Sequence, residues 1–97
     1  MIARVTTSQT TSDKLEEVIR SFKDDVIPAV KLQKGFRSVY LLTDRRTGKF
    51  ISIGFWDNEK DAITDEKAGQ YQRRLDMLKA LTITAQVREM YEVSVQA

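Results

Sequence analysis

Two neighbouring segments, residues 36–42 and 50–56, carry apolar side chains on both of the faces that an extended strand presents. By period-two alternation the apolar residues form two opposed sets in each segment: Phe36, Tyr40 and Leu42 against Val39 and Leu41, and Ile51, Ile53 and Phe55 against Phe50 and Trp56. A sheet built from such strands must be covered on both faces, because monomers rarely leave large apolar patches in water. This requirement restricts the possible folds more than any other pattern in the chain.

The pattern predicts four strands. Ile2–Gln9 is rich in Val and Thr, and Phe36–Thr43 and Lys49–Trp56 flank the glycine-containing turn Asp44–Gly48, which is typical of a β-hairpin. The last segment, Arg88–Gln96, places Tyr91, Val93 and Val95 on one face of a fourth strand.

Helical spacing separates these strands. After capping-type residues at 10–13, apolar residues recur at intervals of three and four, which predicts a helix: Leu15, Val18, Ile19, Phe22 and Val26. Pro28 should end or kink this helix, Ala29–Gln33 is expected to add a turn, and Gly35 is expected to cap it. A second helical region begins with Asp57-Asn58 as a cap over Glu59–Thr64 and continues in a longer helix with one apolar face: Ala68, Tyr71, Leu75 and Leu78.

The resulting order, βαββαβ, predicts a single α+β domain of the ferredoxin-like type over residues 1–97, with a four-stranded antiparallel sheet and both helices on one face. The helices cover only one of the two apolar faces. We therefore expect a homodimer in which the sheet of a second copy covers the remaining apolar face. The interface is expected to comprise Val39, Leu41, Ile51, Ile53 and Phe55, or else the face of the sheet opposite to these residues.

Composition excludes several kinds of site. The chain has no cysteine and no histidine, which removes thiolate catalysis, the commonest zinc ligands and the usual general base, so no metal site is predicted. Acidic and basic residues are mixed and the net charge is only +2, which argues against nucleic-acid binding. We find no signal peptide and no stretch of membrane-spanning length, and a cytoplasmic protein is expected.

Several short motifs resemble the antibiotic biosynthesis monooxygenase-like family of the dimeric α+β barrel superfamily. They are Gly35-Phe36-x-Ser38, the Asp44 to Gly48 hairpin, a third strand that ends in Trp56, Asn58-Glu59-x-x-Ala62, and Arg88-Glu89-x-Tyr91-Glu92-Val93. The resemblance runs over nearly the whole chain. It implies homodimers whose sheets close into a barrel, and a ligand cavity between the sheet and the helices of each subunit.

The resemblance implies one of two activities, although many members of the family have no assigned reaction. Some members of the family oxidise phenolic polyketides with molecular oxygen and no cofactor, and others degrade haem. Haem degradation fits poorly, because the position nine residues after Trp56 is Asp65, where an iron-ligating histidine is needed. The resemblance therefore implies a cofactor-independent monooxygenase that acts on a small aromatic or phenolic compound.

The same resemblance suggests which residues form the site. Trp56, Tyr71 and Asp65 are candidate catalytic residues, with Asp65 as a base if burial raises its pKa. Phe50, Ser52, Gly54 and Arg74 are candidate ligand-binding residues, of which Arg74 would stabilise an anion. The structural alternatives are that Trp56 and Tyr71 are core residues, that Ser52 and Gly54 permit close helix–sheet packing, and that Asp65 and Arg74 lie in solvent.

Two other functions are weighed. RNA-recognition domains share the βαββαβ order, but here Ser52 stands where a second stacking aromatic residue is needed and the first strand offers Ala3 and Val5. The remaining alternative is a non-catalytic dimeric module that binds a small apolar ligand or another protein. The lack of histidine favours that module, since it leaves no obvious base.

Overall fold

The computed structural model describes the backbone of residues 1–97 and every side chain except that of Gln70. Its elements follow the predicted βαββαβ order, with each helical region divided into shorter pieces. They are β1 (Ile2–Gln9), α1 (Leu15–Ser21), a π-helical turn (Phe22–Val26), α2 (Ile27–Val30), β2 (Phe36–Thr43), β3 (Lys49–Trp56), α3 (Glu59–Lys67), α4 (Gly69–Lys79) and β4 (Val87–Glu92).

The first helical region continues past Pro28 instead of ending there. Ile27 donates its N–H to the carbonyl of Phe22, which is the wider hydrogen bond of a π-turn. Pro28 then lies in the first turn of α2, where its missing N–H is tolerated. Two predicted caps are wrong: α1 begins after Lys14 without a side-chain cap, and Gly35 lies beyond the helix end, in a turn where its φ of 81° suits glycine.

The second helical region is longer than predicted. Asn58 caps α3 as expected, because its side-chain oxygen accepts the N–H of Asp61 at 2.9 Å. The helix runs to Lys67 rather than Thr64. Ala68 then has extended backbone and starts a new helix, α4, at Gly69.

The sheet is antiparallel with the order β2-β3-β1-β4, which confirms the predicted fold class. β4 spans Val87–Glu92 and not the predicted Arg88–Gln96. β4 ends there because its partner strand β1 begins at Ile2, which pairs with Glu92. Beyond this pair, the N–H of Val93 donates one more hydrogen bond, to the carbonyl of Met1. Val95 is 90% exposed beyond the end of the sheet.

The expected dimer set mixes residues from the two faces of the sheet, and this part of the prediction is wrong. Val39 and Leu41 pack under the helices, whereas Tyr40 pairs with Ile53 and Leu42 with Ile51 on the opposite, open face. An irregularity between Phe36 and Ser38 also breaks the alternation of β2. The open face therefore holds these apolar residues: Val5, Tyr40, Leu42, Ile51, Ile53, Phe55, Val87 and Tyr91.

The helices and the inner face of the sheet enclose two apolar clusters. The larger one joins α1, the π-turn, β3 and α4 through Leu15, Val18, Phe22, Val26, Phe50 and Leu78. The smaller one joins α2, β3 and α3 through Val30, Trp56 and Ala62. A cavity lies where the two clusters meet.

Among the described residues, no helix combines the length and the apolar character that a membrane crossing requires. The cytoplasmic location and the extent of the domain stay predictions.

Candidate functional site

The cavity between the helices and the sheet has mainly apolar walls. The free volume inside it is about 60 Å³, and one side of it is open to solvent. Its apolar lining comes from the π-turn and α2, from β2 and from α4: Phe22, Val26, Val30, Phe36, Val39, Leu75 and Leu78. This location agrees with the one that the family resemblance implies.

β3 forms the floor of the cavity. Phe50, Ser52, Gly54 and Trp56 all line it, because every second side chain of a strand points to the same face. Gly54 leaves room there. A methyl group added at Gly54 would lie 3.5 Å from Trp56 Nε1, an ordinary van der Waals distance, so the site could accept a small side chain but would lose free space.

Asp65 and Arg74 form a buried ion pair at one wall, and the expectation that they lie in solvent is wrong. Asp65 is 1% exposed and Arg74 is 6% exposed. Asp65 Oδ2 lies 2.7 Å from Arg74 Nη2 and 2.8 Å from Nη2 of Arg4, which reaches it from β1. Asp65 lies behind this wall, whereas Arg4 and Arg74 are part of the cavity lining.

Tyr71 is surrounded by guanidinium groups. The centroid of its ring lies 4.9 Å from Arg4 Cζ, 5.2 Å from Arg74 Cζ and 5.6 Å from Arg88 Cζ. Arg88 Nη1 also donates a 2.8 Å hydrogen bond to the Tyr71 hydroxyl, and this bond raises the pKa of Arg88. The Tyr71 hydroxyl can still donate its own hydrogen.

The same group contains a second carboxylate. Glu66 Oε1 lies 3.1 Å from Arg88 Nε and 3.6 Å from Arg4 Nη1. Among the described side chains this cluster therefore has three guanidiniums and two carboxylates, which leaves one positive charge in excess. Positive charge next to an apolar cavity favours a ligand that carries an anionic oxygen.

Two residues that line the cavity each carry a buried hydrogen-bond donor that has no partner in the part of the chain that the structure describes. The donors are Trp56 Nε1 and Arg74 Nη1. A buried donor without a partner costs free energy, and a ligand that supplies an acceptor removes that cost. Arg74 uses its other terminal nitrogen for Asp65, so the ion pair fixes the direction in which Nη1 points.

Every predicted site residue except Asp65 lines the cavity, and Asp65 lies next to it. Sequence reasoning missed Arg4, Glu66, Arg88 and Gln86. Arg4 could have been found, because an arginine at the centre of a Val- and Thr-rich strand needs a buried partner or a ligand. Glu66, Arg88 and Gln86 give no comparable signal, since their contacts come from elements that lie far apart along the chain.

The comparisons with known proteins agree with this architecture. A monooxygenase from Streptomyces coelicolor, solved in complex with nanaomycin D, superimposes with a TM-score of 0.84 at 12% identity, over 99% of this chain and 89% of that chain. SnoaB, a cofactor-independent oxygenase from Streptomyces nogalater, gives 0.74 at 14% identity, over 98% and 94%. A conserved protein from Methanosarcina mazei gives 0.80 at 13% identity, over 93% and 89%. At such identities the likeness shows the fold alone.

No curated protein matches the chain in sequence. The model of one family, described as antibiotic biosynthesis monooxygenase, matches residues 1–75, which include β1 to β3, α3 and the part of α4 that carries Tyr71 and Arg74. This match covers most of the chain, and it rests on the sequence rather than on the fold. The chain belongs to the antibiotic biosynthesis monooxygenase family.

Proposed function

We propose that this protein is a cofactor-independent monooxygenase that oxidises a small phenolic compound in the cavity between its sheet and its helices. The observation that carries the proposal is that Trp56 and Arg74, which line a mainly apolar cavity, each have a buried donor without a partner among the described residues: Trp56 Nε1 and Arg74 Nη1. The apolar walls suit an aromatic ring, and the two donors suit an oxygen atom bound to that ring.

The proposed chemistry begins with the phenolate, which donates the first electron to dioxygen. Arg74 favours the phenolate over the neutral phenol, because a guanidinium stabilises an anionic oxygen better than a neutral one. The surrounding apolar side chains strengthen this attraction by keeping water away from the charges. The phenolic proton leaves to solvent in this scheme, so no histidine is needed.

The overall reaction balances without a further reductant. Dioxygen adds one oxygen atom to a ring carbon, and its second oxygen atom leaves as water with the phenolic hydrogen and the hydrogen of that carbon. The product is a quinone, and the substrate supplies all four electrons that reduce dioxygen. The family to which the chain belongs and the cofactor-independent oxygenase from Streptomyces nogalater support this type of reaction.

The proposed roles of Asp65 and Tyr71 are based on the contacts of their side chains. Asp65 is a positioning residue in this proposal, because its Oδ2 holds Arg4 and Arg74 and it lies behind the cavity wall. The catalytic-base role predicted for Asp65 has no geometric support in this arrangement. In this proposal Tyr71 donates a hydrogen bond to the ligand, and the hydroxyl oxygen of Tyr71 accepts one from Arg88.

We also propose that two copies pair through the open face of the sheet. Tyr40 is 58% exposed and Leu42 47% exposed on that face, and the Tyr40 ring packs edge-on against Phe55 with centroids 6.2 Å apart. An apolar surface spread over all four strands is more than a monomer usually leaves in water. The family resemblance implies this type of pairing.

The test of the enzymatic proposal is oxygen consumption with a series of electron-rich phenols and hydroquinones. With the phenols we expect uptake of one dioxygen per quinone formed, with one atom of labelled dioxygen in the product. Arg74→Met should abolish the uptake while the far-UV circular dichroism stays native. Arg45→Met is the matched control, because Arg45 is an exposed arginine outside the cavity. Ligand binding without oxygen uptake would instead support the non-catalytic module.

A further inference from the structure

The segment between α4 and β4 borders the cavity and is held against β1. Ile83 donates its N–H to the carbonyl of Gln9 at 2.8 Å, and Ser8 Oγ donates to the carbonyl of Thr84 at 3.3 Å. Thr10 Oγ1 donates to the carbonyl of Leu81. These three hydrogen bonds hold residues 81–84 against the end of β1 and the residue after it. Gln86 is the last residue of the segment, so the backbone that leads to it is fixed in position.

Gln86 lines the same cavity as Trp56 and Arg74. Its side-chain oxygen Oε1 is buried and has no hydrogen-bond partner among the residues whose side chains are described. Gln86 lies outside the residues that the family model matches. A buried acceptor without a partner is unfavourable in the same way as a buried donor, and a ligand hydroxyl would satisfy it.

The residues that line the cavity thus carry two complementary kinds of unpartnered polar group. Trp56 and Arg74 each provide a donor, and Gln86 provides an acceptor. A phenolate oxygen bound to the two donors carries no hydrogen, so it cannot also donate to Gln86. The acceptor requires a different group on the ligand, and that group must carry an O–H or N–H.

We infer that Gln86 is a specificity-determining residue, and that the substrate is an aromatic compound with a second hydroxyl group, which donates a hydrogen bond to Gln86 Oε1. This inference rests on the proposed function for the role of the first oxygen, but it concerns binding and needs no turnover. A site that binds a ligand hydroxyl discriminates strongly against a ligand without one, because the acceptor is then left unpaired.

The test is isothermal titration calorimetry without oxygen, with three ligands: a symmetric naphthalenediol, its monomethyl ether and a naphthol. The ether keeps an oxygen atom at the second position but cannot donate from it. We expect the wild-type protein to bind the diol about tenfold more tightly than the ether or the naphthol. In Gln86→Met, which has a side chain of similar length and no such acceptor, this preference should disappear.

Gln72→Met is the matched control, because Gln72 is exposed on α4 and its amide donates to Asp76 at 3.0 Å. It should keep the tenfold preference. Equal binding of the diol and the ether by the wild-type protein would overturn the inference. It would also be overturned if Gln86→Met kept the preference for the diol, or if the wild-type protein bound none of the three ligands. If the diol preference is found but no oxygen is consumed, the inference stands and the proposed oxidation fails.

Discussion

Arg4 Nη2 and Asp65 Oδ2 lie 2.8 Å apart, and this buried ion pair joins the central strand β1 to helix α3. Arg74 binds the same carboxylate oxygen from α4, so one side chain holds three elements together at the wall of the cavity. Arg4 Nη1 also donates to the carbonyl of Ala62 at 3.2 Å. The site is therefore built on a contact that contributes to the fold as well.

Replacing Asp65 should destabilise the protein severely. Asp65→Asn leaves the Arg74 guanidinium buried without the carboxylate that it contacts, and it leaves Arg4 with only the longer contact to Glu66 at 3.6 Å. We expect the free energy of unfolding to fall by about 3–5 kcal/mol. Asp57→Asn is the control, because Asp57 forms an exposed ion pair with Arg37 and should cost at most about 1 kcal/mol. Urea denaturation at one fixed protein concentration measures both, and equal small losses would contradict a structural role for Asp65.

A methyl group at Gly54 should weaken ligand binding without harming the fold. The added carbon of Gly54→Ala would lie at an ordinary distance from Trp56 Nε1, but it would occupy space in the cavity next to an unpartnered donor. We expect about tenfold weaker binding of the naphthalenediol by calorimetry, equivalent to about 1.4 kcal/mol, and a change of less than about 1 kcal/mol in unfolding free energy. Gly69→Ala, where the added carbon would meet no described residue beyond its own neighbours in the helix within 4 Å, should leave binding unchanged.

A charge on the open face of the sheet should separate the proposed dimer. Ile53 lies on that face between Tyr40 and Val5 of the adjacent strands, so Ile53→Asp would place a carboxylate in the apolar contact. Sedimentation velocity at micromolar concentration should show a dimer for the wild-type protein and a monomer for the variant. Met77→Asp, on the partly exposed side of α4, should remain dimeric. A wild-type monomer would refute the pairing itself.

The hairpin turn should show a pH-dependent contribution to stability. The backbone N–H of Arg46 donates to Asp44 Oδ1 at 2.9 Å and lowers the pKa of Asp44 below its ordinary value of 3.8. Because the folded-state pKa is the lower one, the contribution is present above the unfolded-state pKa and is lost as the pH falls through the folded-state pKa.

Asp44→Asn tests this dependence, since the neutral amide imitates the protonated carboxyl group. The variant should be less stable than the wild-type protein near about pH 6, and the difference should disappear near about pH 2. Thermal unfolding across this range gives the measurement. A difference that does not change with pH would show that the charge of Asp44 is not involved.

The secondary structure could be predicted because its signals are local. The Val- and Thr-rich run of β1, the glycine turn of the hairpin and the apolar spacing from Leu15 to Val26 each lie within one segment. The end of β4 could not be predicted in the same way. Its alternation continues to Val95, but the strand ends where its partner β1 begins, and that depends on a strand pairing.

Part of the candidate site could also be predicted, because the signals for those residues lie within single segments of the chain. Phe50, Ser52, Gly54 and Trp56 share a face by simple alternation, and Tyr71 belongs to the apolar stripe of α4. For Arg74 the sequence left two alternatives open, ligand binding or exposure to solvent. The pairing of Arg74 with Asp65 and Arg4 could not be read from the sequence, because it joins three elements whose orientation is set only by the packed fold.

The position of β1 at the centre of the sheet has a consequence for synthesis. β1 precedes both of its partner strands along the chain, because β3 begins only at residue 49 and β4 only at residue 87. Until both have left the ribosome, the Val- and Thr-rich strand has two unpaired edges, which are prone to aggregation. We therefore expect the nascent chain to depend on a chaperone or on rapid release, and to complete its sheet only after translation has passed Glu92.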